Sequence, residues 1–239
     1  RFLHTYFVAT DYTCSPSCAQ SDLDVYFVPD STLTEEFTRC GIPEEKLFPS
    51  GIPIRSAFLS TNDKAEMKQR FGLHPQEPHL LVMGGSMGCG PMGHLVQQIS
   101  QAMPKSCSIT VICGTNRRLK AQLEHRFSED FRVTVRGFCD EVPELMDSAD
   151  LFLTKPGGIS VTEAAQKRLP MVFVNAVAGC EAYNMRFFTH KGVAISASSP
   201  RELARLTAAI LSDQELLSQM AENYRGAEDN TAAKAIAQE

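Results

Sequence analysis

The sequence has no excess of positive charge. Its 23 Lys and Arg residues are outnumbered by 28 Asp and Glu, giving a formal net charge of -5. The broad basic field that grips phosphate backbones is therefore missing, which excludes nucleic-acid binding. No apolar run approaches the roughly 20 residues that cross a bilayer as a helix, and no charged, apolar and small-residue succession marks a secretory signal. Both absences point to a cytoplasmic protein. Metal-ligand spacing is scarce too. Of eight cysteines, only Cys14 and Cys18 stand close, as C-x-x-x-C; structural zinc takes four ligands, and no second pair lies nearby. The others, Cys40, Cys89, Cys107, Cys113, Cys139 and Cys180, fall mostly inside apolar segments, as reduced intracellular thiols do. No metal and no cofactor is expected, and neither repeats nor low-complexity tracts interrupt the chain.

What is there is an alternation. With 43% hydrophobic residues over 239 positions, the chain can bury a substantial core. It begins at Arg1 and enters the strand-like run "RFLHTYFVATDY" almost at once, so sequence preceding it is expected. Short apolar runs such as "VYFVP", "HLLVMGG", "SITVICG", "FRVTVRGF", "DLFLTK", "PMVFVN" and "GVAIS" are separated by helical periodicity, for instance over Lys64 to Phe71, Pro91 to Met103 and Arg117 to Phe127. This predicts a doubly wound parallel α/β sheet.

In such a sheet ligands lie beyond the carboxyl ends of the strands, where loops feed helix N-termini. Residues Gly88 to Gly93, "GCGPMG", satisfy G-x-G-x-x-G, but the next strand ends in "ICGTN" without the acidic residue a dinucleotide ribose needs. A nicotinamide or flavin dinucleotide is therefore not expected there, and the loop reads as a generic phosphate-facing turn. The sharper feature is "LTKPGGISVTEAAQ", where a strand crosses a Pro-Gly-Gly corner straight into a helix. Bare amides at such a corner suit an anion, and Glu163 follows within two turns.

Taken together, "ATDYTCSP", "GIPEEKLFPSGIPIRSAF", "LVMGGSMGCGP", "RGFCDEVPELMDSADLFLTKPGGISVTEAA" and "EAYNMRFF" resemble the diacylglycerol glycosyltransferases. These are the monogalactosyl- or glucosyl-diacylglycerol synthases, in the superfamily of the N-acetylglucosaminyltransferase that makes lipid-linked peptidoglycan precursor. The resemblance implies the C-terminal half of a two-domain GT-B enzyme with Rossmann-like domains. Residues 1–57 would be a remnant of the acceptor domain with its linker, and 58–239 the UDP-sugar domain with C-terminal helices. It further implies that Pro156, Gly157 and Gly158 receive the diphosphate, approached by Gly85 and Ser86 and by Arg55, whose planar fork suits phosphate oxygens. Glu163 would accept from the ribose hydroxyls, and Phe138 and Cys139 would flank uracil.

The resemblance also implies that hexose recognition falls to Cys180, Glu181 and Asn184. Family members carry Gly-Gln-Glu where this chain has Gly179-Cys180-Glu181, so a poorly bonding thiol replaces an amide. Glu181 and Asn184, three apart on a helix, are expected on one face. Asp11 matches an acceptor-side position, and the general base is expected upstream of Arg1. The implied reaction is inverting, metal-independent transfer of a hexose from a UDP-sugar to diacylglycerol at the inner face of the cell membrane, where the preceding domain would supply the membrane contact. Three other readings compete: transfer of N-acetylglucosamine to a lipid pyrophosphate, a UDP-sugar epimerase, and a UDP-sugar sensor without transfer.

Overall fold

Alternating apolar runs and helices fold, in the computed structural model, into two parallel sheets. The structure describes residues 3–84, 92–174, 179–197, 199–224 and 231–238. In chain order the elements are β1 (Tyr6–Val8), α1 (Pro16–Ala19), β2 (Val25–Val28), α2 (Thr34–Arg39), β3 (Leu47–Pro49), α3 (Lys64–Arg70), β4 (His79–Met83), α4 (Met92–Ala102), β5 (Ser108–Ile112) and α5 (Arg117–Arg126). They continue with β6 (Val133–Arg136), α6 (Val142–Ser148), β7 (Leu151–Thr154), α7 (Gly158–Gln166), β8 (Met171–Phe173), α8 (Cys180–His190), β9 (Ala194–Ser196), α9 (Pro200–Leu211), α10 (Gln214–Glu222) and α11 (Ala232–Gln238).

The small sheet has the order β1-β2-β3 and the large one β6-β5-β4-β7-β8-β9, every pair parallel. Counted from β4, the large sheet reads 3-2-1-4-5-6, the doubly wound order whose direction reverses between β4 and β7. Register brings the ends of four strands level: Met83 pairs with both Ile112 and Thr154, and Thr154 with Phe173. The loops after β4, β5, β7 and β8 therefore leave from one line, and the Pro-Gly-Gly corner follows β7 at the reversal.

The central strands read as unbroken apolar runs because both faces are covered. Leu80 and Val82 face one cluster with Val96, Ile99, Leu203 and Ile210; Leu81 and Phe152 face another with Leu145, Val161, Ala164 and Phe188. Full burial of each such side chain contributes about 1.5 to 3 kcal/mol. The second cluster also takes Tyr12, Ile52 and Phe58, so the segment holding the small sheet shares a core with the large one. The small sheet packs Tyr26, Val28, Phe37 and Cys18 around its own centre.

Candidate functional site

Helix α7 starts without a side-chain cap. Its N-cap is Gly157, at φ -78° and ψ 129°, and Pro156 before it is buried. The first-turn amides thus meet the arriving chain bare, the arrangement that suits an anion. The helix stops at Gln166, with Arg168 in the left-handed region at φ 51° and Pro170 two residues on.

Gly158 does more than start a helix. A Cβ there would sit 1.9 Å from the Thr10 carbonyl oxygen and 2.9 Å from Asp11 Oδ1. Only glycine lets the two backbones come so close. Around this contact a buried network forms. Asn184 Nδ2 donates to Asp11 Oδ1 at 2.7 Å and to the Pro156 carbonyl at 3.0 Å, while its Oδ1 accepts from the Tyr12 amide at 2.7 Å. The Tyr12 hydroxyl lies 2.9 Å from Thr162 Oγ1, which in turn donates to the Gly158 carbonyl at 2.7 Å. The Tyr12 ring stacks on Phe187 at 4.3 Å and meets the edge of Phe188 at 4.7 Å. Burial drives the Tyr12 phenol pKa well above its ordinary value, with the Thr162 bond opposing.

The side chain of Asn184, expected at the hexose, is wholly buried, and both its amide hydrogens are committed within the protein. The phase of α8 accounts for this: Asn184 lies one turn before Phe188, and these two are the buried positions of that helix. Glu181 points elsewhere. Its carboxylate meets Lys155 Nζ at 2.6 Å, and the Lys155 side chain lies across the corner with its Cε 3.7 Å from where a Gly157 Cβ would be. Lys155 was not among the expected site residues, although "KPGG" puts a cation beside the anion corner. Cys180 opens α8 after Gly179, whose φ of 103° demands glycine. Its thiol is half-buried and its pKa rises through desolvation, with Asp11 adding to the shift.

Glu163 and Arg55 form a second pair. Arg55 Nε approaches Glu163 Oε1 at 3.4 Å, and the side chains are 57% and 7% exposed. Burial pushes the Glu163 carboxyl above its usual range, while Arg55 pulls it back. The same guanidinium lies 4.8 Å over the Phe58 ring. In this structure Arg55 thus partners the carboxylate expected at the ribose. Phe138, largely exposed, and half-buried Cys139 stand on the loop between β6 and α6, outside these bonded networks; burial raises the Cys139 thiol. Gly85, Ser86 and most of "GCGPMG" lie outside the described residues.

A cavity of about 360 Å³ between the small-sheet segment and α7 and α8 is lined by Tyr12, Asp30, Thr162, Gln166, Phe187 and Lys191, among others. It reaches none of Lys155, Glu163 and Glu181, so the candidate site rests on the corner and not on this cavity. Near the small sheet, Cys40 joins the expected Cys14 and Cys18; burial first, then the neighbouring thiols, raise Cys14 well above the ordinary thiol range. Among the described residues no group of three or more His, Cys, Asp or Glu is placed to hold a metal ion, and no helix is long and apolar enough to cross a membrane.

The sequence model of the glycosyltransferase family 28 C-terminal domain matches residues 79–238, and that of monogalactosyldiacylglycerol (MGDG) synthase matches residues 1–54. The processive diacylglycerol beta-glucosyltransferase of Staphylococcus saprophyticus is 31% identical over 217 residues, covering 90% of this chain and 55% of that protein. Its Bacillus subtilis counterpart is 28% identical over 228 residues, covering 94% and 59%. Among solved structures, Acinetobacter baumannii MurG is similar with a TM-score of 0.71 at 18% identity, covering 99% of this chain and 66% of that one. Anabaena HepE, solved in complex with UDP, has a TM-score of 0.66 at 17% identity, covering 98% and 71%. The chain spans a little over half the length of these curated relatives, and the structural similarities fix the fold as that of a GT-B glycosyltransferase C-terminal domain.

Proposed function

The chain belongs to glycosyltransferase family 28, and from that premise we propose that it forms the donor-binding part of an enzyme that transfers a hexose from a UDP-sugar to diacylglycerol. The observation that carries this is the uncapped glycine start of α7 at the reversal of the large sheet, with a buried carboxylate five residues into the helix. The first-turn amides take the diphosphate, with dipole attraction of about 0.3 to 1 kcal/mol, more where water is excluded. Glu163 accepts from the ribose hydroxyls, each charge-assisted bond contributing about 1.5 to 3 kcal/mol. Arg55 favours the ionised carboxylate that this needs. Uracil lies against Phe138 and Cys139, and the hexose beside Cys180 and Glu181.

An acceptor hydroxyl oxygen attacks the anomeric carbon from the face opposite the diphosphate, its proton passes to a base, and UDP leaves with inversion. Charge building on the leaving diphosphate meets the α7 amides and the Lys155 ammonium, fixed in place before the reaction. Residues 1–57 form the acceptor-side portion and 58–239 the donor domain, and the enzyme works as a peripheral protein on the cytoplasmic face of the membrane. What supports diacylglycerol as acceptor is the similarity to proteins named for it.

The test is a thermal-shift panel of UDP, UDP-glucose, UDP-galactose, UDP-N-acetylglucosamine and ADP-glucose. Ligands that bind only the folded chain raise its melting temperature as their concentration exceeds Kd. UDP-sugars are expected to stabilise it and ADP-glucose not to. Equal shifts from UDP- and ADP-sugars would overturn uridine recognition.

A further inference from the structure

We propose that Asn184 is a positioning residue: a buried joint that fixes the Pro-Gly-Gly corner against the Tyr12 segment, so that its loss weakens binding of the whole nucleotide and leaves the choice of sugar alone. The proposal rests, for its nucleotide part, on the donor reading above. One planar amide joins three chain segments. It takes the Tyr12 amide hydrogen on Oδ1 and gives its own two hydrogens to Asp11 and to the Pro156 carbonyl, all at 2.7 to 3.0 Å, the Tyr12 and Pro156 bonds buried and the Asp11 bond partly so. The orientation of the amide follows from its partners, an N–H facing the oxygen and two acceptors facing the nitrogen.

Two further observations place the joint at the corner. The Pro156 carbonyl belongs to the peptide leading into the α7 N-cap, so a shift of Asn184 moves the amides that receive the diphosphate. Gly158 is in backbone contact with Thr10 on the other side, and Tyr12 is locked by Thr162, Phe187 and Phe188. The corner has little freedom of its own; its position is set by residues more than 140 positions earlier in the chain. A displacement of about 1 Å at such a site costs binding or rate by large factors.

Charge makes the proposal testable. In Asn184→Asp one oxygen still accepts from Tyr12, but the other presents a lone pair to the Asp11 carboxylate and the Pro156 carbonyl. In the Asn184→Asp/Asp11→Asn double variant residue 11 supplies the missing donor. UDP and UDP-glucose are titrated into the wild type and both variants, and amide exchange at Tyr12 is followed in the wild type and in Asn184→Ala. We expect Asn184→Asp to weaken both ligands by one common factor, on the order of tenfold. The double variant should recover most of that loss, and Tyr12 exchange should speed up about tenfold or more relative to Val82 in β4. Weakening confined to UDP-glucose would make Asn184 a sugar ligand; equal weakening without recovery, or unchanged Tyr12 exchange, would equally overturn the joint. If Asn184→Ala does not fold, Asp11→Leu reads the same joint from its other side and should likewise speed Tyr12 exchange. A wild-type chain that binds no UDP sinks the donor reading, and Tyr12 exchange then decides the joint.

Discussion

His79 and Cys180 show what single residues control. His79 is wholly buried between Thr110 Oγ1, 2.9 Å from Nε2, and Ser148 Oγ, 3.1 Å from Nδ1. Desolvation lowers its pKa from 6.5 to about 4, against opposing contributions from Ser148 and Asp150. The unfolded chain therefore binds a proton there at a higher pH than the folded one does. The stability linked to His79 is complete above about pH 6.5 and is lost as pH falls toward 4, about 2 kcal/mol of it by about pH 5. Urea unfolding of the wild type and His79→Gln at about pH 7 and pH 5 checks this: the wild type should lose more stability over the interval, and parallel losses would contradict it.

At Cys180 the sequence showed the departure from Gly-Gln-Glu but not that the thiol neighbours Asp11. If the hexose lies there, Cys180→Gln changes the relative affinities for UDP-glucose, UDP-galactose and UDP-N-acetylglucosamine and leaves UDP nearly unchanged. Equal changes for all ligands in calorimetry would place the residue in the scaffold. The setting of Asn184 was only half legible in the sequence. Its helical phase with Phe188 is legible, but the partners that consume its amide come from Asp11, Tyr12 and Pro156, which no local pattern connects to it.

Elements were legible where burial is two-sided. The strands β4, β5, β7 and β8 read as continuous apolar runs, and α3 and α5, expected over Lys64 to Phe71 and Arg117 to Phe127, end one residue earlier, at Arg70 and Arg126. The single turn α1 was not anticipated; in "SPSCAQ" the Ser15 cap and Pro16 are its only signals. The corner before α7 was read as an anion seat, and the packing gives its two glycines different duties. A Cβ on Gly157 meets only Lys155 Cε at 3.7 Å, whereas one on Gly158 runs into the Thr10 carbonyl at 1.9 Å. Gly158→Ala should therefore cost about 1 to 3 kcal/mol of stability by forcing two backbones apart, and Gly157→Ala should cost well under that. Denaturant midpoints of the two variants, side by side, measure the difference, and equal costs would mean that α7 is free to move away from Thr10.

Across the whole molecule, the doubly wound class followed from the alternation of runs and helices, but the joining of the two sheets did not. The Asn184–Tyr12 bond spans 172 positions and the Tyr12–Thr162 bond 150, and Lys191 reaches Asp30 at 2.7 Å across the same junction. Such contacts depend on the folded arrangement and leave no periodic trace. They bind the Tyr12 segment to the Pro-Gly-Gly corner, so the proposed donor binding is measured on all 239 residues together. Titration calorimetry of UDP into the wild-type chain and into Glu163→Gln tests the central claim most directly. The substitution keeps size and fold but weakens the bonds to the ribose, so the wild type should bind UDP, in preference to ADP, and the variant about tenfold or more weakly, a loss of about 1.4 kcal/mol or above. Unchanged UDP affinity in a folded Glu163→Gln chain, or no UDP binding by the wild type, would contradict the account.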